Sequence, residues 1–262
     1  MPRSEWTSEH DFAVDGVAYR SMVGPPGDDQ MLVLKPQEAI EAYEELIAGA
    51  APRTMLELGI YNGGSAALFA QLAEPEKFVV LDLRPGCAPL ERFLDAHELR
   101  GTVVPYYGID QANADQLDQI MAAEFDGPVD LIIDDASHLE PQTRASFNRL
   151  FPHVRPGGLY IIEDWGWAHS RIVPNNDSFH RVTPLSAFVF ELVVVAARRP
   201  KLISEITIGH LSAVIRRGPA ELHPERFDVS SQLGPTGREM VDRLRAVASR
   251  TPEDDERLAG AS

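Results

Sequence analysis

The feature that most limits the fold of this chain is a rhythm between residues 54 and 164, where short apolar runs alternate with segments of helical periodicity. "TMLELG" precedes "SAALFAQLA", "KFVVLDL" precedes "PLERFLDAHEL", and "TVVPYYG" precedes "ADQLDQIMAAEF". "VDLIIDD" then leads into "PQTRASFNRLF", and "GGLYIIED" closes the series. Short runs rich in Val, Ile and Leu, each followed by a helix of about ten residues, predict a parallel sheet covered on both faces.

Beyond the fifth run the rhythm breaks. "WGWAHSRIVPNNDSFHRVTP" is polar and aromatic, and "LSAFVFELVVVAA" is an apolar helix. "LISEITIGH" and "LSAVIRRG" are close enough in sequence to pair as an antiparallel hairpin at one sheet edge. Ahead of the rhythm, "KPQEAIEAYEELIAGA" reads as a lead-in helix with Pro36 in its first turn and Ile40, Tyr43, Leu46 and Ile47 on one face. Residues 1–30 show no clean periodicity and contain "GPPGDD", which predicts an irregular arm or lid. The expected division is an arm and lead-in helix over 1–50, one α/β domain over 51–218, and an extension over 219–262. The acidic end of that extension, "SRTPEDDERLAGAS", predicts disorder.

Composition removes several classes of function. The net charge is −16, from 40 acids against 24 Lys plus Arg, and no basic stripe is segregated, which excludes nucleic acid as the expected partner. No apolar run approaches the roughly 20 residues of a membrane span, and the first residues lack the apolar core of a signal peptide, so a cytoplasmic location is expected. The single cysteine, Cys87, rules out an internal disulfide.

In open α/β sheets, ligands bind outside the carboxyl ends of the strands, so the residues ending each run carry the functional information. The first run ends in "ELGIYNGGS", where Gly59, Gly63 and Gly64 permit a tight turn beside a helix N-terminus. The second ends at Asp82, placed to accept hydrogen bonds from a ribose, and the third in "YYGIDQAN", with Asp110 and Gln111. Tyr61 stands where a nicotinamide fingerprint wants its second glycine, which disfavours a pyrophosphate. Glu57, just before the first glycine, suits a cationic group instead, and S-adenosylmethionine offers cations, a ribose and no phosphate. The expected cofactor contacts are Glu57, Gly59, Tyr61, Asn62, Gly63, Ser65, Asp82, Asp110, Gln111 and Asp134.

The fourth and fifth runs end in acid pairs, Asp134-Asp135 and Glu163-Asp164. Neighbouring strands lie about 4.8 Å apart, so adjacent runs would bring Asp134 or Asp135 together with Glu163 and Asp164. Carboxylates without thiolates form a hard site suited to Mg²⁺, Ca²⁺ or Mn²⁺. His138, three residues after Asp135, is a candidate general base.

"ELGIYNGGS", "IIDDASH" and "LFPHVRPGGLYIIEDW" together resemble the S-adenosylmethionine-dependent sugar O-methyltransferases of antibiotic pathways. The resemblance covers roughly residues 30–218 and implies a class I methyltransferase fold, α/β with a mostly parallel seven-stranded sheet, an antiparallel edge hairpin and an N-terminal helical arm. It also implies Mg²⁺ held by Asp135, Glu163 and Asp164, with His138 as catalytic base beside Asp135. The acceptor it implies is a hydroxyl of a sugar or glycosylated natural product; a vicinal diol is expected, against a wall formed by Trp165, Trp167, His169 and the loop up to Pro184. A homo-oligomer is expected on the same ground. The alternatives are a catechol-like acceptor and a natural-product tailoring protein of this fold without methyl transfer.

Overall fold

A computed structural model describes residues 3–22, 24, 27, 30–169 and 183–248. The rhythm becomes β5 (Thr54–Leu58), α2 (Gly64–Ala73), β6 (Lys77–Asp82), α3 (Ala88–Ala96), β7 (Val103–Tyr107), α4 (Ala114–Glu124), β8 (Val129–Asp134), α5 (Glu140–Leu150) and β9 (Val154–Glu163). The lead-in helix is α1 (Gln37–Ala50), and α6 (Leu185–Arg198), β10 (Ile203–Ile208), β11 (Ser212–Arg217) and α7 (Pro235–Ala248) follow the sheet.

These strands form one seven-stranded sheet in the order β10-β11-β9-β8-β5-β6-β7. The pairings among β5 to β9 are parallel, whereas β11 runs antiparallel to both β9 and β10. The expected edge hairpin is therefore present, with its second strand inserted beside β9 and its first at the edge. The chain winds outward from β5 through β6 to β7, then returns to β8 on the other side of β5. That reversal leaves a crevice at the β5/β8 boundary, above the carboxyl ends of the strands.

Near-continuous apolar strands are explained by two cores. Met55, Leu131, Ile133 and Ile161 pack on one face with Ile40 of α1, Leu68 of α2 and Leu90 of α3. Leu56, Ile132, Tyr160 and Ile162 pack on the other with Leu117 of α4, Phe147 of α5 and Phe188 of α6. Successive residues thus alternate between two buried faces rather than between core and solvent. Among the described residues, no helix is long and apolar enough to cross a membrane.

The N-terminal region differs from the expected irregular, helical arm. It folds into a second sheet of β1 (Ser4–Trp6), β2 (Asp11–Val14), β3 (Val17–Ser21) and β4 (Met31–Val33), leaving helix only in α1. Phe12, Val14, Tyr19, Met31 and Val33 alternate inward and join the first core. Asp15 and Gly16 turn the β2–β3 hairpin with φ of 48° and 81°, the left-handed pair that such a tight turn demands. The C-terminal extension contains α7, whose Val241 enters the second core. The acidic end from 249 onward and residues 170–182, on which part of the expected acceptor wall falls, lie outside the described residues.

Candidate active site

A cavity of about 710 Å³ opens above the carboxyl ends of the strands at the topological switch. Leu58, Gly59, Tyr61, Ser65, Asp82, Asp110 and Gln111 line it from the β5–β7 side, and Asp135, His138, Asp164 and Trp167 from the β8–β9 side. Such a volume lies within the roughly 300–1,000 Å³ of small-molecule sites.

On the β5–β7 side, the glycine loop is shaped by contacts within the protein. Gly59 has φ +83°, and a Cβ there would lie 2.2 Å from the carbonyl oxygen of Asp135. Gly63 has φ +76° at the start of α2, and a Cβ there would meet Leu90 at 2.6 Å. Gly63 therefore shapes the loop, and neither it nor Asn62 lines the cavity. Asp82 joins this loop to the next: its carboxylate accepts from the backbone N–H of Ile60 (3.1 Å), Tyr61 (3.0 Å) and Arg84 (2.8 Å). The Arg84 guanidinium lies 4.8 Å from the ring centroid of Tyr61, which holds that exposed side chain over the mouth. Glu57 is wholly buried, and neither carboxylate oxygen has a hydrogen-bond partner within the protein. Burial, only partly offset by nearby Ser65 and Lys35, pushes its carboxyl up to about 8.

The two acid pairs separate. Asp134 is turned from the cavity into the second core, which corrects its expected place among the cofactor contacts. It accepts from Gln111 Nε2 (3.0 Å), Ser146 Oγ (2.5 Å) and the Tyr160 hydroxyl (2.9 Å). Burial pushes its carboxyl up to about 6 against those donors. Its effect on the cavity is indirect, because the Gln111 side chain it holds also accepts from Ser137 N–H at 2.8 Å.

Asp135, His138 and Asp164 gather on the cavity side, with one ligand-type atom of each within 4.8 Å of the others. His138 and Asp164 both adopt left-handed φ, 55° and 52°, which turns each back from its strand toward this point. His138 Nε2 lies 3.8 Å from Asp135 Oδ1, and its ring packs on Trp167 at 4.4 Å. Burial lowers the imidazole to about 4, so it is neutral near pH 7. Burial, then the charges of Asp135 and Glu163, raise the Asp164 carboxyl to about 7. Like charges this close call for a cation, and Asp135 and Asp164 present a hard oxygen pair into open space.

Glu163, the third expected ligand, is buried beside this cluster and joined to Asp135 through a shared lysine. Lys35 Nζ donates to Glu163 Oε2 (2.5 Å) and to Asp135 Oδ2 (2.8 Å), while the Tyr43 hydroxyl donates to Glu163 Oε1 (2.6 Å). Lys35 is 3% exposed; burial alone would lower its pKa, but these two carboxylates hold it above the ordinary lysine value. Sequence reasoning missed Lys35 and placed Tyr43 only on an apolar face. The available signal was a lysine ending the apolar run "MLVLK" immediately before Pro36.

Of the described part of the expected wall, only Trp167 lines the cavity. Trp165 turns away and donates its indole N–H to the Gly209 carbonyl (2.9 Å), and His169 pairs with Ser186 Oγ (2.7 Å). Both are thereby committed to anchoring the chain after β9 to the β10–β11 turn and to α6.

Comparison with known proteins points to methyltransferases. Residues 56–165 match the family model described as a methyltransferase domain. Mycinamicin VI 2″-O-methyltransferase of Micromonospora griseorubida is 55% identical over 60 residues, which are 23% of this chain and 14% of that protein. Demethylmacrocin O-methyltransferase of Streptomyces fradiae is 61% identical over 44 residues, 17% of this chain and 11% of that protein. Among solved structures, the MycE methyltransferase of the mycinamycin pathway in complex with Mg and SAH superposes with a TM-score of 0.52 and 26% identity, over 68% of this chain and 48% of that one. A second MycE structure, with Mg, SAH and mycinamycin VI, gives 0.51 and 27% over the same shares. The chain thus spans about half the length of these structures and matches short segments of the curated relatives.

Proposed function

With a methyltransferase domain at residues 56–165 as the premise, we propose that this chain is an S-adenosylmethionine-dependent, divalent-metal-dependent O-methyltransferase. Its proposed acceptor is a hydroxyl in a vicinal diol of a sugar or glycosylated natural product. The observation that carries the proposal is a single cavity with a glycine-loop cradle on its β5–β7 side and an acid–histidine cluster on its β8–β9 side. The relatives named for sugar methylation support the acceptor class, as the Mg and SAH of MycE support the cofactors.

The residues fit both groups. Gly59, Tyr61, Ser65, Asp82, Asp110 and Gln111 would hold the cofactor, and the Glu57 carboxyl just behind the loop, without a hydrogen-bond partner of its own, would ionise against its cationic portion. Asp135, Glu163 and Asp164 would hold the ion, all three at the carboxyl ends of β8 and β9. When bound, the cofactor supplies an electrophilic methyl group and the ion a Lewis acid that anchors the acceptor's oxygens.

The remaining work falls to the chain. The neutral His138 imidazole takes the acceptor's hydroxyl proton, and Trp167 fixes the ring plane by packing against it. Asp135, 3.8 Å from Nε2, favours the imidazolium once the proton has moved. Fixed placement of acceptor and methyl donor in one cavity supplies much of the rate. A homo-oligomer belongs to the same proposal and rests on the family resemblance.

The test is methyl transfer from S-adenosylmethionine to deoxysugar glycosides with and without a vicinal diol, and to a catechol, each with Mg²⁺ or with a chelator. Methylation of the diol glycosides alone, abolished by chelator and lowered about 10²- to 10⁴-fold in His138→Ala with the fold intact, is expected. Transfer only to the catechol, or transfer indifferent to chelator, would overturn the acceptor or the metal reading respectively.

A further inference from the structure

Strand β4 and the residues after it form an unbroken apolar run, "MLVL", of which the core uses only half. Met31 and Val33 point into the first core, so Leu32 and Leu34 fall on the opposite face, where a sheet lying on a core ordinarily carries polar residues. Both leucines line the cavity, and Leu34 is 50% exposed. Met22 joins them. Ser21 pairs with Val33 in the β3–β4 register, which sets Met22 beside Leu34 one position further on. Met22 holds a left-handed φ of 64°, which residues other than glycine seldom adopt, and its N–H donates to the Val33 carbonyl at 2.9 Å. It also lines the cavity and is 43% exposed. With Tyr61 and Leu83, Met22 and Leu34 make four of the nine large hydrophobic side chains exposed among the described residues, all gathered at one opening. An exposed apolar patch around a cavity mouth marks a ligand with an apolar part.

We infer that Met22, Leu32 and Leu34 form a subsite for the apolar body of the acceptor, so that the N-terminal sheet selects glycosides by the group to which the sugar is attached. The subsite presupposes the proposed O-methyl transfer and adds to it residues outside the matched segment 56–165. Position assigns the occupant. A Cβ on Gly64, at the start of α2, would collide with the Leu32 carbonyl, so this end of the lip lies against the cofactor loop. Leu34 stands two residues further along, and Lys35 after it already touches Asp135. The lip therefore spans the cofactor half and the acid–histidine half of the cavity, over the place where acceptor and methyl group must meet. Chemistry assigns the class. These three side chains offer no hydrogen bond, and the unbranched Met22 adapts to an irregular apolar surface. Lys35 and Arg84, the Lys and Arg side chains of the cavity lining, are each paired with carboxylates, so a diphosphate would meet no uncompensated positive charge there. The lip fits an uncharged apolar aglycone rather than the nucleotide of an activated sugar.

The test is calorimetric binding of methyl and octyl α-L-rhamnoside, the latter below its micelle concentration, to protein saturated with S-adenosylhomocysteine and Mg²⁺. The proteins compared are the wild type, Met22→Ser, Leu34→Ser and Phe190→Ser. Phe190, 41% exposed on α6 and outside the cavity lining, controls for the loss of any exposed apolar side chain. The wild type is expected to bind the octyl glycoside at least about tenfold more tightly than the methyl one, the gain from burying about two methylene groups. Met22→Ser and Leu34→Ser should each lower that preference severalfold with the thermal melt and S-adenosylhomocysteine affinity unchanged, while Phe190→Ser keeps it. Either lip variant decides alone if the other fails to fold. No octyl preference in the wild type, a preference retained in the lip variants, or a loss of S-adenosylhomocysteine affinity in its place would overturn the inference. Methyl transfer to the same two glycosides separates this outcome from that of the proposed function. Transfer without the octyl preference removes the lip and keeps the methyltransferase, whereas the preference without transfer keeps an apolar subsite and removes the proposed reaction.

Discussion

The ends of β8 and β9 look alike in sequence and differ in what surrounds them. Each finishes in two consecutive carboxylates, and in each pair one acid is buried while the other reaches the cavity. Asp134 is buried among neutral donors, Gln111, Ser146 and Tyr160, on the α5 side of the sheet. Glu163 is buried against a cation, Lys35, and Tyr43 on the α1 side. An acid pair at a strand end therefore does not face one way. Strand alternation sends its members apart, and only a left-handed turn, as at Asp164, brings the second one back. What surrounds the buried member then decides whether it braces a loop or tunes the charge of the site.

The largest expected difference between the two ends lies in stability. Lys35→Met leaves Asp135 and Glu163 without their cation, and breaking a buried pair in this way costs about 3–5 kcal/mol. Tyr160→Phe removes one neutral donor of the three at Asp134, for about 1–2 kcal/mol. Urea denaturation of both variants in chelator measures the contrast, and equal losses would break it.

A pH effect sharpens the comparison from the other end. The Asp134 carboxyl is raised from 3.8 to about 6, so between those values the folded protein binds more protons than the unfolded chain. Stability from this group is present at low pH and is lost as pH rises through that window, by roughly 3 kcal/mol at about 1.4 kcal/mol per unit. Asp134→Asn should remove that slope, so its stability relative to the wild type should climb from pH 4 to 6 and then level off. A pH-independent difference would contradict the burial assigned to Asp134. The smallest expected effect is at Trp165, whose indole N–H serves only the Gly209 carbonyl. Trp165→Phe should cost about 0.5–1 kcal/mol and leave cofactor affinity unchanged, as calorimetry would show.

The contrast also explains what could be read in the sequence. The parallel sheet was legible because β5 to β9 are buried on both faces, and such strands appear as unbroken apolar runs. The strand-end acids were legible because charge at the end of such a run has few structural uses. The N-terminal sheet was not read, because strands of three to five residues show too little alternation to stand out, although Asp15-Gly16 marked its hairpin. Parity along the strand would have sorted Asp134 from Asp135: Ile132 and Asp134 share one face, Ile133 and Asp135 the other. Lys35 was marked only by its place at the end of "MLVLK" before Pro36, which does not name its partners. A lone lysine reads as a solvated residue until tertiary packing seats it between Asp135 and Glu163, 100 and 128 residues away.

On the proposed reading, one cavity serves a cofactor on its β5–β7 side and an ion on its β8–β9 side. Calorimetric titration of S-adenosylmethionine into the wild type, Asp82→Asn and Asp164→Asn tests it directly. Saturable one-to-one binding is expected in the wild type, lost or greatly weakened in Asp82→Asn and retained in Asp164→Asn. No binding to the wild type, or equal loss in the two variants, would contradict it.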